Sequence, residues 1–182
     1  MEHQRKLYLF IAMSLDGYIA APDGDISFLP PIDKEGEDYG YTDFIDKIDT
    51  VVLGRKTYDK ILSMGITNPY GERDVYILTH SPKEQQGNLH YYSGNLKELI
   101  MGFKSKQGKH LYCDGGADTI HQLLADDLID EMIISIIPVL LGEGIALFKG
   151  GLPSLQLSLV KVSSYENGLV KLHYRRDQVS SN

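Results

Sequence analysis

Twice in this chain a short apolar run with the character of a buried strand ends at glycine and gives way to a helical pattern. Thr50-Val51-Val52-Leu53 runs into Gly54-Arg55-Lys56-Thr57-Tyr58 and a helical pattern through Leu62. Lys109-His110-Leu111-Tyr112-Cys113 runs into Asp114-Gly115-Gly116-Ala117-Asp118-Thr119, and then into an apolar-periodic helix carrying Ile120, Leu123 and Leu124. In an open α/β sheet such junctions lie at the carboxyl ends of the strands, where ligands bind. Each also builds an anion seat. Unpaired N–H groups, the positive end of the helix dipole, cations and hydroxyls converge on one point, and adjacent glycines let backbone approach a bound pyrophosphate closely.

A third segment extends the pattern. Asp74-Val75-Tyr76-Ile77-Leu78-Thr79 reads as a strand and ends in Thr79-His80-Ser81-Pro82. Hydroxyls and an imidazole stand here in place of the acidic residue that usually holds a free ribose diol, which favours a phosphorylated ribose.

The remaining periodicity fits the same architecture. Leu7 to Met13 lacks polar alternation, as a central strand covered on both faces should. Asp16 to Pro31 is loop-like, with Asp16-Gly17 and Asp23-Gly24 as turn signals. Tyr41, Phe44, Ile45 and Ile48 have helical spacing, a short strand is expected near Leu89 to Tyr92, and a helix from about Asn95 to Lys106 should be capped by Asn95. Asp130 to Ile137 is a strongly apolar strand. Leu155 to Val162 and Leu169 to Tyr174 alternate around Asn167-Gly168, a strong hairpin signal. The expected fold is α/β: a mostly parallel twisted sheet with helices on both faces and an antiparallel C-terminal hairpin. One domain over residues 1–176 is expected, with 177–182 as a flexible tail.

Composition limits the function classes. A chain of 182 residues, 42% hydrophobic, can bury a substantial single core. A net charge of −7 with no Lys/Arg stripe argues against nucleic acid as the partner. The seven apolar residues from Leu7 to Met13 are too few for a membrane span or a signal h-region, so no membrane partner is expected. A single cysteine, Cys113, suits a reducing cytoplasm and reads as a small buried apolar residue, since no partner base is marked.

The six histidines show no metal-binding spacing, so no metal is expected. Asp23-Gly24-Asp25 opens like a calcium loop but has Phe28 at its sixth position and Lys34 at its twelfth, which makes it a turn. Asp16 follows the probable central strand directly. It serves either as an Asx-turn residue or as a carboxylate facing the substrate.

Leu7-Tyr8-Leu9-Phe10-Ile11-Ala12-Met13-Ser14-Leu15-Asp16-Gly17-Tyr18-Ile19-Ala20, the Gly54-Arg55-Lys56-Thr57 and Gly115-Gly116 turns, and Ile137-Pro138-Val139-Leu140-Leu141-Gly142-Glu143-Gly144 together resemble the dihydrofolate-reductase-like superfamily. Within it they are most similar to the reductase domain of the bifunctional deaminase-reductase of riboflavin biosynthesis. The resemblance implies a three-layer sandwich and NADPH bound against Ala12, Ile19, Gly54, Arg55, Lys56, Thr57, Leu78, Thr79, His80, Ser81, Asp114, Gly115, Gly116, Ala117 and Thr119. It also places Asp16 in the substrate region and implies a cytoplasmic homodimer. The implied activity is reduction of a ribosylamino-pyrimidine, of the 5-amino-6-(5-phosphoribosylamino)uracil type, or of a related heterocyclic carbonyl or imine. Dihydrofolate reductase and a non-catalytic NADP-binding module are the alternatives. In the folate enzymes the proton-directing acid lies on the first helix, where this chain offers Glu37, Asp38 and Asp43 without a clear match, and the chain has no tryptophan. Both departures move weight away from folate.

Overall fold

The computed structural model describes residues 4–29, 37–81 and 83–177. Pro31, Lys34, Pro82 and all of the expected tail except Asp177 lie outside the described residues. In chain order the elements are β1 (Leu7–Ser14), β2 (Tyr18–Ala20), α1 (Tyr41–Ile45), β3 (Ile48–Gly54), α2 (Arg55–Ser63), β4 (Asp74–Leu78) and β5 (Leu89–Tyr92). They continue with α3 (Leu96–Lys104), β6 (His110–Gly115), α4 (Ala117–Ala125), β7 (Glu131–Ile137), β8 (Ile145–Ala146), β9 (Leu157–Ser164) and β10 (Val170–Arg176).

The main sheet has the order β5-β4-β3-β6-β1-β7-β10-β9. Strands β5 to β7 of that order are parallel, whereas β10 runs antiparallel to both β7 and β9. The expected hairpin is therefore present, closed by the turn at Asn167-Gly168, where the Asn167 side chain accepts from the Leu169 N–H at 3.1 Å.

Alternation along the strands makes the three layers. On β1, Leu7 and Leu9 join Leu111, Cys113, Ile120, Leu123 and Met132 on one face, while Tyr8 and Phe10 pack toward Phe44, Val51, Leu53, Tyr58 and Tyr112 on the other. Helices α3 and α4 cover the first face, and α1 and α2 the second. Asn95 caps α3 by accepting from the Glu98 N–H at 3.1 Å. The helical spacing that includes Ile48 yields only a five-residue helix, because Ile48 is drawn into β3 by pairing with His110 of β6. Within the stretch read as loop-like, Tyr18–Ala20 forms a strand that pairs with β8. Three residues are too short to show a period.

At the amino ends of the central strands, Arg5 is 5% exposed. It pairs with Asp49, donates from Nε to the Lys109 carbonyl at 2.5 Å, and reaches Thr50 Oγ1 at 3.0 Å. That bolt leaves the carboxyl ends open for a ligand.

Candidate active site

Helices α2 and α4 leave the neighbouring strands β3 and β6 toward opposite faces of the sheet. Tyr58 of α2 belongs to the second core and Ile120, Leu123 and Leu124 of α4 to the first. The carboxyl ends of β3 and β6 thus form a topological switch point, the crevice where open α/β sheets bind ligands.

The two junctions meet closely there. A Cβ added at Gly116 would lie 2.9 Å from Thr57 Oγ1, and one added at Gly54 would lie 3.1 Å from Thr119 Oγ1 and 3.6 Å from the Gly116 nitrogen. Glycine at both positions is what allows the approach. Gly54 and Gly116 are the N-caps of α2 and α4, and neither helix start has a side-chain cap. The first-turn N–H groups therefore stay available to an anion.

A cleft of about 1270 Å³ opens over this point. Its wall takes Ala12 from β1, Ile19 from β2, Gly54 to Thr57 from the first junction, Leu78 to Ser81 from the end of β4, and Asp114 to Ala117 with Thr119 from the second junction. The fold brings together every residue expected to contact the cofactor. Arg55 donates to Asp59 at 2.7 Å and lies 5.7 Å from the Tyr91 ring centroid. Lys83, not singled out in the sequence, sits 5.6 Å from the same ring.

Asp16 is brought elsewhere. It is absent from the cleft wall, and its carboxylate accepts from Ser14 Oγ at 2.6 Å, the Gly142 N–H at 2.7 Å and the Leu141 N–H at 3.2 Å. The Ser14 hydroxyl first, and then these backbone donors, hold its carboxyl below the ordinary value. Asp16 in this geometry ties the β1–β2 turn to the loop after β7.

Of the three acids expected on the first helix, Glu37 and Asp38 precede α1 and only Asp43 lies on it; Glu37 and Asp43 are exposed. Asp38 reaches the cleft wall but accepts from the N–H groups of Gly40 at 2.7 Å and Thr42 at 2.8 Å. The Thr42 hydroxyl, and then these N–H groups, keep its carboxyl below the usual range. An acid held in the anionic form is a poor proton donor.

Asp114 is in the opposite condition. At the end of β6 it is walled in by protein yet keeps an accessible edge on the cleft, and its two oxygens accept from the hydroxyls of Tyr70 and Tyr112. Burial pushes its carboxyl above the ordinary carboxylate range, against the downward pull of the two hydroxyls. Burial likewise pushes Tyr41, also in the wall, up to about 12. Sequence reading placed Asp114 at the junction without this role. The signal was available in part, since Tyr112 and Asp114 are two apart on one strand and share a face. Tyr70 comes from a loop and had no such signal. Cys113, on the other face, is buried in the first core, and burial raises its thiol to about 12. That thiol is not poised as a nucleophile.

Fold and cleft together define a dihydrofolate-reductase-like α/β protein. The fold is similar to that of the Enterococcus faecalis dihydrofolate reductase complexed with NADP(H) and RAB-propyl, with TM-score 0.67 over 98% of this chain and 100% of that one at 21% identity. A Shewanella sp. PV-4 structure, described as a candidate riboflavin biosynthesis protein, matches with TM-score 0.84 and 33% identity over 95% of this chain and 99% of that one. The uncharacterized Bacillus subtilis protein YwjB is 37% identical over 174 residues, 95% of this chain and 99% of its own length. Residues 70–171 match the RibD C-terminal domain, and the chain belongs to that family.

Among the described residues, no cluster of His, Cys, Asp and Glu is arranged to hold a metal ion, and no helix is long and apolar enough to cross a membrane.

Proposed function

We propose that the protein is an NADPH-dependent reductase of a small heterocyclic carbonyl or imine. The observation that carries this reading is one cleft holding both uncapped helix starts at the switch point and a carboxyl group, Asp114, whose environment favours the proton.

The residues present fit the cofactor. The N–H groups at the starts of α2 and α4, with Thr57 and Thr119, would take the pyrophosphate. Arg55 and Ser81 would take the phosphate on the ribose. The Arg55–Asp59 pair is a partly exposed i,i+4 contact worth about 0.3–0.5 kcal/mol, so a doubly charged phosphate can displace it. When bound, NADPH supplies a hydride; the protein must then orient the ring and deliver a proton beside the carbon that accepts it. Asp114 is suited to that delivery because burial raises its carboxyl above the ordinary carboxylate range, and Tyr70 and Tyr112 fix its orientation. Asp38, kept ionised, suits a ring N–H donor in the same cleft.

A homodimer completes the proposal. On the edge strand β9, Leu157, Leu159, Val160 and Val162 are exposed, as are Leu140 and Phe148 nearby in sequence. An apolar edge of this kind calls for cover, and a two-fold pairing would provide it.

The test is loss of NADPH absorbance across a panel of pyrimidines, pterins and aldehydes. Steady turnover with a heterocycle is expected. Binding of NADPH with no turnover on any member would favour a non-catalytic module.

A further inference from the structure

We infer that the substrate carries an uncharged apolar substituent, held at the end of the cleft between α2 and the loop after β2. This rests on the reductase reading, because it places the reducible ring beside Asp114.

The wall at that end is made of Pro22, Ile26, Leu29, Ile61, Met64 and Ile66. Met64 is 52% and Ile66 43% exposed, so on the α2 side of the slot large apolar side chains lack cover by the described residues. The slot is continuous with the proposed chemistry. From Ile66 the chain runs through Pro69 to Tyr70, both in the cleft wall, and Tyr70 donates to Asp114. A ligand with its ring at Asp114 extends along this wall.

Among the described residues, charge argues against a phosphate there. The cleft wall contains the cations Arg55, Lys56, Lys60 and Lys149. Arg55 is paired with Asp59 and Lys149 with Asp118, and Lys56 lies close enough to Asp118 to lower its carboxyl; all three belong to the helix-start end. Lys60 alone, among the described residues, lies on the apolar stretch, and it faces the field of Asp25. One lysine beside a carboxylate is a poor seat for a phosphate dianion, which elsewhere is held by several donors or by bidentate arginine. Apolar surface, by contrast, gains about 25 cal/mol for each Å² it removes from water.

Two probes sharing one ring separate the possibilities: 5-amino-6-(benzylamino)uracil and 5-amino-6-(5-phosphoribosylamino)uracil, each titrated into the NADPH-loaded protein. The benzyl compound is expected to bind at least about tenfold more tightly, equivalent to about 1.4 kcal/mol. It should also shift the methyl resonance of Met64. The double substitution Met64→Ser with Ile66→Ser, at exposed positions, should remove most of that preference while leaving NADPH affinity unchanged. Tighter binding of the phosphoribosyl compound, equal affinity for the two, or failure of both to bind the loaded protein would each overturn the apolar end. Failure of NADPH itself to bind would instead refute the reductase reading.

Discussion

Replacing Asp114 by asparagine separates what its carboxyl group does for stability from what it does for chemistry. Moving a carboxylate out of water carries a penalty of several kcal/mol, and each hydroxyl bond to the charged form returns about 1.5–3 kcal/mol. Two tyrosines therefore leave a modest net cost. An asparagine of equal volume avoids the charge: its oxygen accepts from one tyrosine and its amide donates to the other. The variant should be more stable at pH 8 by about 1–2 kcal/mol, or about 2–8 °C in Tm for a chain of this size. The sign follows from the raised folded-state carboxyl. Its stabilising contribution is fully present below the unfolded carboxylate value and is lost as pH rises through the folded value, so the variant's advantage should grow from pH 4 to pH 8. Burial also pushes the Glu131 carboxyl up, but bonds from His173 and Lys6 outweigh it and bring it down to about 2. That group titrates alike in both proteins and cancels. Calorimetry at three pH values measures the stability, and turnover should fall by about 10²-fold or more. A variant less stable than the parent at every pH, or one equally active, would refute the assignment.

Gly116→Ala should lower Tm because its Cβ meets Thr57 Oγ1 at 2.9 Å, and adding Thr57→Ala should restore most of the loss; no rescue would mean that the strain lies elsewhere. Asp16→Asn keeps one acceptor for the Ser14, Leu141 and Gly142 donors, so thermal unfolding should show a slightly lowered Tm with turnover within about threefold of the parent. A loss of turnover near 10²-fold would return Asp16 to the chemistry. Arg5→Met removes the buried donor to Asp49, Thr50 and the Lys109 carbonyl and should destabilise by about 1–3 kcal/mol in urea unfolding, without altering NADPH affinity.

The sheet was legible because its strands are long and its helices follow glycine. Leu7 to Met13, Thr50 to Leu53 and Asp130 to Ile137 are continuous apolar runs, and Asn167-Gly168 marks the hairpin between two alternating ones. The β2–β8 ribbon was not legible, since strands of three and two residues carry no period and depend on contacts 125 or more positions apart in the chain. The phosphate end of the cleft was readable for the same reason as the sheet: its donors are backbone groups at junctions that glycine announces. The carboxyl with the raised value was not. Asp114 acquires its raised carboxyl from burial, against the pull of Tyr70, a residue that reaches it only after the loop following α2 folds back over β6. Asp16, flagged by its place after the first strand, met three donors that local spacing does not reveal, two of them from the loop after β7.

Equilibrium titration of the protein with NADPH and with NADH, followed by nicotinamide fluorescence, tests the central claim most directly. With Arg55 and Ser81 in the wall and no acid at the end of β4, NADPH should bind at least about tenfold more tightly, a difference of about 1.4 kcal/mol. Equal dissociation constants, or no saturable binding of either, would contradict it.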